Sequence, residues 1–273
     1  MRLIKGTLKR LSDRFSFTEG PAADSAGNVY FSDQPEDLIY RWDWKSGNID
    51  LVTDKSGRAN GLCFNAHGEL LCCADESGEI RKVLPDGNME VLVAGPAGKR
   101  FNGPNDLWAD GSGGVYFTDP FYDRTYWNCD ADFVPERNLY YLDKNGKLCT
   151  LEAFQQPNGI TGSTLLKKLF VSDIDAGQTW VYDIAGVGHL AKKKLFCNFG
   201  SDGMTLDSEE NLYLTGDGVT IFNKWGEKIE TIAVPEDWTG NLTFGGPDFS
   251  TIFITASRSV FTLEMNVRGM QQR

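Results

Sequence analysis

Histidine is nearly missing from this chain of 273 residues: His67 lies in the polar turn FNAHGEL and His189 in a glycine-flanked loop. Both read as surface residues, so a Ser-His-Asp triad and a histidine-rich metal cluster lack their parts. No CxxC occurs among the six cysteines (63, 72, 73, 129, 149 and 197), which argues against a thiolate zinc site. Cys63, Cys72, Cys73 and Cys149 sit inside apolar strand patterns, where a reduced thiol packs as a small hydrophobe, so free thiols are expected rather than disulfides. Basic residues are outnumbered, 27 Lys+Arg against 38 Asp+Glu, and a net charge of -11 argues against nucleic acid and against an anionic membrane. The start, MRLIKGTLKRLSDRFSF, has no continuous apolar stretch to act as a signal peptide, and no later run is long enough to span a bilayer. A soluble, cytoplasmic protein is the expectation. No stretch sustains a 3.6-residue apolar period, so almost no helix is expected.

What the chain does contain is a repeat. The clearest copy is SDGMTLDSEENLYLTG at 201–216: a polar residue followed by Gly, a short apolar run, a polar turn, then alternating apolar residues ending near an acid or a small residue. The other copies are EGPAADSAGNVYFSD (19–33), NGLCFNAHGELLCCAD (60–75), NDLWADGSGGVYFTD (105–119), NGITGSTLLKKLFVSD (158–173) and NLTFGGPDFSTIFITA (241–256). Leaders at 19, 60, 105, 158, 202 and 241 fall 39 to 53 residues apart. Several short strands at a period of roughly 40 to 50 residues are the signature of a β-propeller. The expected fold is therefore all-β: one six-bladed propeller over residues 1–273, with four-stranded antiparallel blades. The last copy is one strand short, which leaves residues 4–11 to close the ring as its missing outer strand and remove an open sheet edge.

In a propeller the innermost strands line the channel, so one repeat position converges on the axis. Here that position holds Glu19, Asn60, Asn105, Asn158, Asp202 and Asn241, all with side-chain oxygen acceptors. One alternative is that Asn-Gly and Asp-Gly are turn dipeptides chosen for positive φ. The other is a functional ring: two carboxylates and several amide oxygens form a hard donor set suited to calcium first, with magnesium, manganese or zinc as alternatives.

The motifs FTEGP, RFNGPNDL, VYFTDP, PNGI, SDGMTLD and NLTFGG, in this order over nearly the whole chain, resemble the gluconolactonase, senescence-marker-protein and luciferin-regenerating-enzyme family of six-bladed propellers. The resemblance implies one divalent ion on the axis held by Glu19, Asn158 and Asp202, with Asn105 as a further ligand or substrate contact. It also implies hydrolysis of a small-molecule lactone, with Asp202 as the candidate catalytic carboxylate. Metal binding would lower the basicity of Asp202, so orienting water or only holding the ion are alternative roles. Hydrolysis of phosphotriesters or other esters by the same ion, and non-catalytic binding at the channel mouth, are the competing functions.

The longest spacing between leaders comes from FYDRTYWNCDADFVPERN after Pro120. A long aromatic loop beside the channel shapes a pocket or packs on the neighbouring blade. Its Tyr122, Arg124, Tyr126 and Trp127 are candidates to stack on a sugar ring or hold its hydroxyls. Asn60, Arg100, Asn105 and Asn241 complete the candidate substrate contacts, Arg100 either facing the pocket or pairing at its edge. Phe121, Tyr122 and Asp123 stand where the family more often has a second proline and Tyr-Gly, so the resemblance does not fix the choice of substrate.

Overall fold

Alternation of apolar residues in short runs, punctuated by polar turns, yields 24 strands among the described residues, in six four-stranded antiparallel sheets. The computed structural model describes residues 2–127 and 131–270. Each blade runs from an inner strand outward, as in Thr18–Ala23, Val29–Asp33, Leu38–Trp42 and Ile49–Thr53. The remaining inner strands are Ala59–Phe64, Leu107–Ala109, Pro157–Ser163, Met204–Leu206 and Thr239–Gly245. The one helical element among the described residues is a three-residue 3-10 turn, Gln34–Glu36, and no helix there is long and apolar enough to cross a membrane. The sixth blade is completed by the chain's own start. Lys9–Ser12 pairs with Ser259–Glu264, and Ile4 forms a separate bridge to Met265. The closing strand is thus shorter and later than residues 4–11, because the backbone at Lys5 and Gly6 converges on a single carbonyl, Glu264 O.

The core is divided into wedges between blades, since a strand sends alternate side chains to opposite faces. Tyr116 packs toward the fourth blade with Leu139, Leu169 and Val171, while adjacent Phe117 packs toward the second with Leu71 and Phe101. Cys72 and Cys73 divide in the same way between two wedges. Five cysteines are free thiols, burial pushing Cys72 up to about 12, and Cys129 lies outside the described residues. His67 and His189 are both exposed.

Two devices recur because the repeat recurs. In the turn after the inner strand, Asp24, Asn65, Asp110 and Asp207 each accept backbone N–H groups two and four residues on, which closes the hairpin. In the second strand, a buried hydroxyl reaches the next blade: Ser32 Oγ donates to Asn60 O (2.8 Å), Thr118 Oγ1 to Asn158 O (2.7 Å) and Thr215 Oγ1 to Gly240 O (2.7 Å). These bonds fix the inner strands relative to one another around the axis.

Candidate active site

The inner strands approach so closely that the residue after each leader has little room. A Cβ on Gly20 would lie 2.2 Å from Asn60 O, one on Gly61 2.6 Å from Asn105 O, and one on Gly159 2.6 Å from Asp202 O. Gly20 has φ 44°, but Gly61, Gly159 and Gly203 are outside the positive-φ region. Close approach, more than turn geometry, therefore explains Gly after the leader.

The third and sixth blades depart from this pattern. Asp106 takes the glycine position and puts a carboxylate into the channel. In the sixth blade Thr239 pairs with Ala256, as Thr18 pairs with Asp33 and Pro157 with Asp173. That register makes Gly240, not Asn241, the structural leader. The six-acceptor ring is thereby corrected to five acceptors and one glycine. A Cβ at Gly240 would lie 2.5 Å from Glu19 Oε1, so the missing side chain is what accommodates the Glu19 carboxylate. Asn241, one place further in, accepts from Leu242 N (2.8 Å) and donates across the axis to Asp106 Oδ2 (3.4 Å). Its amide is thus engaged at both ends in the floor of the site.

Glu19, Asp202 and Asn158 come together above that floor. Glu19 is 3% exposed, its Oε2 accepts from Gly20 N (3.0 Å), and burial followed by the neighbouring Asp202 charge pushes its pKa well up. Asp202 is raised to about 6 by burial, opposed by the Trp238 indole, the Asn158 amide and the Arg124 charge. Asp106 is raised to about 7, again chiefly by burial. Two neighbouring carboxylates with raised pKa values, Glu19 buried and Asp202 half-buried, form a site that gains by binding a cation. Asn158 donates from Nδ2 to Tyr122 Oη (2.6 Å), which leaves its Oδ1 buried without a hydrogen-bond partner. An orphaned amide oxygen beside two carboxylates fits a hard divalent ion. No group of three or more His, Cys, Asp or Glu suited to a metal occurs among the described residues, so amide oxygen is an essential part of any such set. Asn60 and Asn105 are buried at the same level, their backbones joined to neighbouring blades through Ser32 Oγ to Asn60 O and Gly61 N to Asn105 O.

The aromatic loop divides in two. Tyr122 and Arg124 reach the site: Tyr122 through Asn158, and Arg124, with its guanidinium 5.3 Å from the Tyr122 ring centroid, through its field on Glu19 and Asp202. Tyr126 and Trp127 instead fasten the loop to the second blade by donating to Asp75 at 2.5 and 3.1 Å. Gln34 Nε2 also donates to Asp75 (3.0 Å), and Arg124 Nε lies 3.3 Å from it. Arg100 donates to the carbonyls of Phe101, Asp75 and Glu76 and lies over the Trp127 and Phe133 rings. Trp127 and Arg100, expected as substrate contacts, are occupied by holding the loop.

Asp75 is free for this task because another residue does its usual work. Asp33, Asp119 and Asp173, at the same repeat position, bind backbone N–H groups at the entrance to their own blades. In the second blade that bond goes from Arg58 N to Asp37 (2.7 Å).

Three functional candidates escaped the sequence pattern: Asp106, Asp75 and Trp238. Asp106 did carry a signal, an acid where most repeats have glycine. Trp238 carried none; its Nε1 donates to Asp202 Oδ2 at 2.5 Å across 36 residues.

A model of the SMP-30/gluconolactonase/LRE-like region matches residues 17–258. The chain belongs to this family. Within it, a gluconolactonase of Zymomonas mobilis is 31% identical over 97% of this chain and 83% of its own length. A pentonolactonase of Haloferax volcanii is 24% identical over 84% and 77%. The solved structure of XC5397, a gluconolactonase from Xanthomonas campestris, superposes with a TM-score of 0.88 at 27% identity, covering 97% of this chain and 91% of that one. Membership accounts for the all-β ring of six blades.

Proposed function

We propose that the chain is a divalent-metal-dependent lactonase that opens a sugar lactone. The observation that carries this reading is the unpartnered Asn158 Oδ1 beside the neighbouring carboxylates Glu19 and Asp202. The gluconolactonase and pentonolactonase relatives supply the substrate class. Glu19, Asn158 and Asp202 would hold the ion, calcium first, with Asn105 as a further ligand or a contact to substrate. A cation held there supplies Lewis acidity toward a carbonyl and lowers the pKa of water.

The chain's own groups then have separable tasks. Glu19 and Asp202 provide the negative charge that offsets the ion. Asp202 also has a carboxylate oxygen with which to orient water toward the acyl carbon; its charge is fixed by the ion, so orientation is a better-matched role than proton abstraction. Tyr122 and Arg124 line the entrance, where a guanidinium suits substrate hydroxyls and the oxygen that gains charge as the ring opens. Water adds to the lactone carbonyl, the ring C–O bond breaks, and the product leaves as an open hydroxy acid.

The test is acid release from glucono-δ-lactone and a pentonolactone above the spontaneous rate, after chelation and add-back of Ca²⁺, Mg²⁺, Mn²⁺ and Zn²⁺ separately. Turnover lost on chelation and restored by one of these ions is expected, with Asp202→Asn inactive throughout. Full turnover in the chelated protein would remove the metal from the reading, and no turnover of any lactone would remove the activity.

A further inference from the structure

We infer that Trp238 is a positioning and substrate-specificity residue: its indole N–H holds one oxygen of Asp202, and its exposed face forms the apolar wall against which the C–H face of a sugar lactone packs. The inference rests on the lactonase reading and names a part of that site which the repeat pattern does not include.

Three observations converge on it. The Nε1–Oδ2 separation is 2.5 Å, so the indole donor fixes one Asp202 oxygen and with it the orientation of the whole carboxylate toward the site. The ring is 38% exposed and bonded to the half-buried Asp202, an arrangement that leaves a large flat apolar surface beside an otherwise polar site. Its backbone is also fixed, since Trp238 N donates to Ser257 Oγ and Ser257 Oγ donates to Trp238 O, both at 3.2 Å.

The repeat has made room for the ring. At the last position of the unit, four blades carry Asp33, Asp75, Asp119 and Asp173, and the sixth carries Ala256. The fifth has Gly216, at φ 151°, where an added Cβ would lie 3.6 Å from Trp238 Cη2. A Cβ there would stand in ordinary contact with the indole edge, and the positive φ disfavours any side chain at this position. The fifth blade thus lacks the usual acid where the sixth blade contributes its tryptophan, and the two changes fit one another.

Removing the donor and removing the surface should have different kinetic consequences. Trp238→Phe keeps a flat apolar ring without N–H. Trp238→Ala removes both. For an aldonolactone, Trp238→Phe should lower kcat on the order of tenfold, the scale of one lost hydrogen bond to a charged group, with KM within about twofold. Trp238→Ala should show the same fall in kcat and, in addition, a KM raised about tenfold. Melting temperatures should fall by a few degrees at most, the cost of the donor lost to Asp202, so kcat and KM are read well below every melting transition. Active parent protein with an unchanged kcat in Trp238→Phe, or with an unchanged KM in Trp238→Ala, would overturn the inference alone. Losses that merely follow a lowered melting temperature would overturn it too. Parent protein inert toward every lactone would remove both the lactonase reading and this inference.

Discussion

Replacing Asp202 by Asn should stabilise the metal-free fold while abolishing turnover, and the gain should depend on pH. Asp202 is half-buried, and desolvation by its surroundings raises its pKa from 3.8 to about 6. A raised carboxylate pKa means the folded chain holds the proton more tightly than the unfolded chain. The associated stability is fully present below 3.8 and is lost as pH rises through 6. At 1.36 kcal/mol per pKa unit, the ionised carboxylate costs the metal-free fold about 3 kcal/mol above pH 6. About 2 kcal/mol of that accrues between roughly pH 4.5 and 6. Asn is nearly isosteric, does not titrate, and keeps an oxygen that can accept from Trp238. It also removes the charge that helps to raise Glu19, an effect of the same sign.

The stability difference between Asp202→Asn and parent should therefore move in the variant's favour by about 2 kcal/mol between about pH 4.5 and 7.5, or about 4 to 8 °C in Tm for a chain of this size. Thermal and urea unfolding in the presence of a chelator read this directly. Adding the active divalent ion near pH 7.5 should reverse the order, raising the parent's Tm well above the variant's. A difference that stays constant with pH, or that grows in the parent's favour without metal, would refute the picture of a carboxylate pair held in readiness for a cation.

Three further substitutions test the surroundings of that pair. Gly240→Ala places a Cβ 2.5 Å from Glu19 Oε1, so cation affinity by calorimetry should fall about 10- to 100-fold while the fold loses about 1 to 3 kcal/mol. Gly159→Ala instead meets backbone, Asp202 O at 2.6 Å, and should lower Tm further than Gly240→Ala; equal Tm losses would argue against the close-approach explanation of these glycines. Asp75→Ala removes the acceptor shared by Gln34, Tyr126 and Trp127 and the partner of Arg124. It should raise KM several-fold and hasten limited proteolysis within 121–127, with kcat less affected; an unchanged cleavage rate would mean that the loop is held by its aromatic packing alone.

Much of this protein is visible in its sequence because the sequence repeats. A unit that recurs every 39 to 53 residues cannot bury its apolar faces alone, and six stacked copies close a ring; the strand alternation and the polar turns around Asp24, Asn65, Asp110 and Asp207 are local consequences. Carboxylates and amides at the start of inner strands were legible for the same reason, since equivalent positions in a ring must converge. Pairing register was not legible. The sequence copy beginning at Asn241 looks like the others, but cross-strand pairing of Thr239 with Ala256 moves it one place, puts Gly240 beside Glu19 and turns Asn241 toward Asp106 in the opposite blade. Nor could spacing tell which loop residues face the channel: Tyr122 and Arg124 do, whereas Trp127 and Arg100 answer to Asp75 and to backbone carbonyls. A linear repeat specifies which positions are equivalent. Contacts such as Trp238 with Asp202 arise between unequal positions on different blades, and only closure of the ring brings them together.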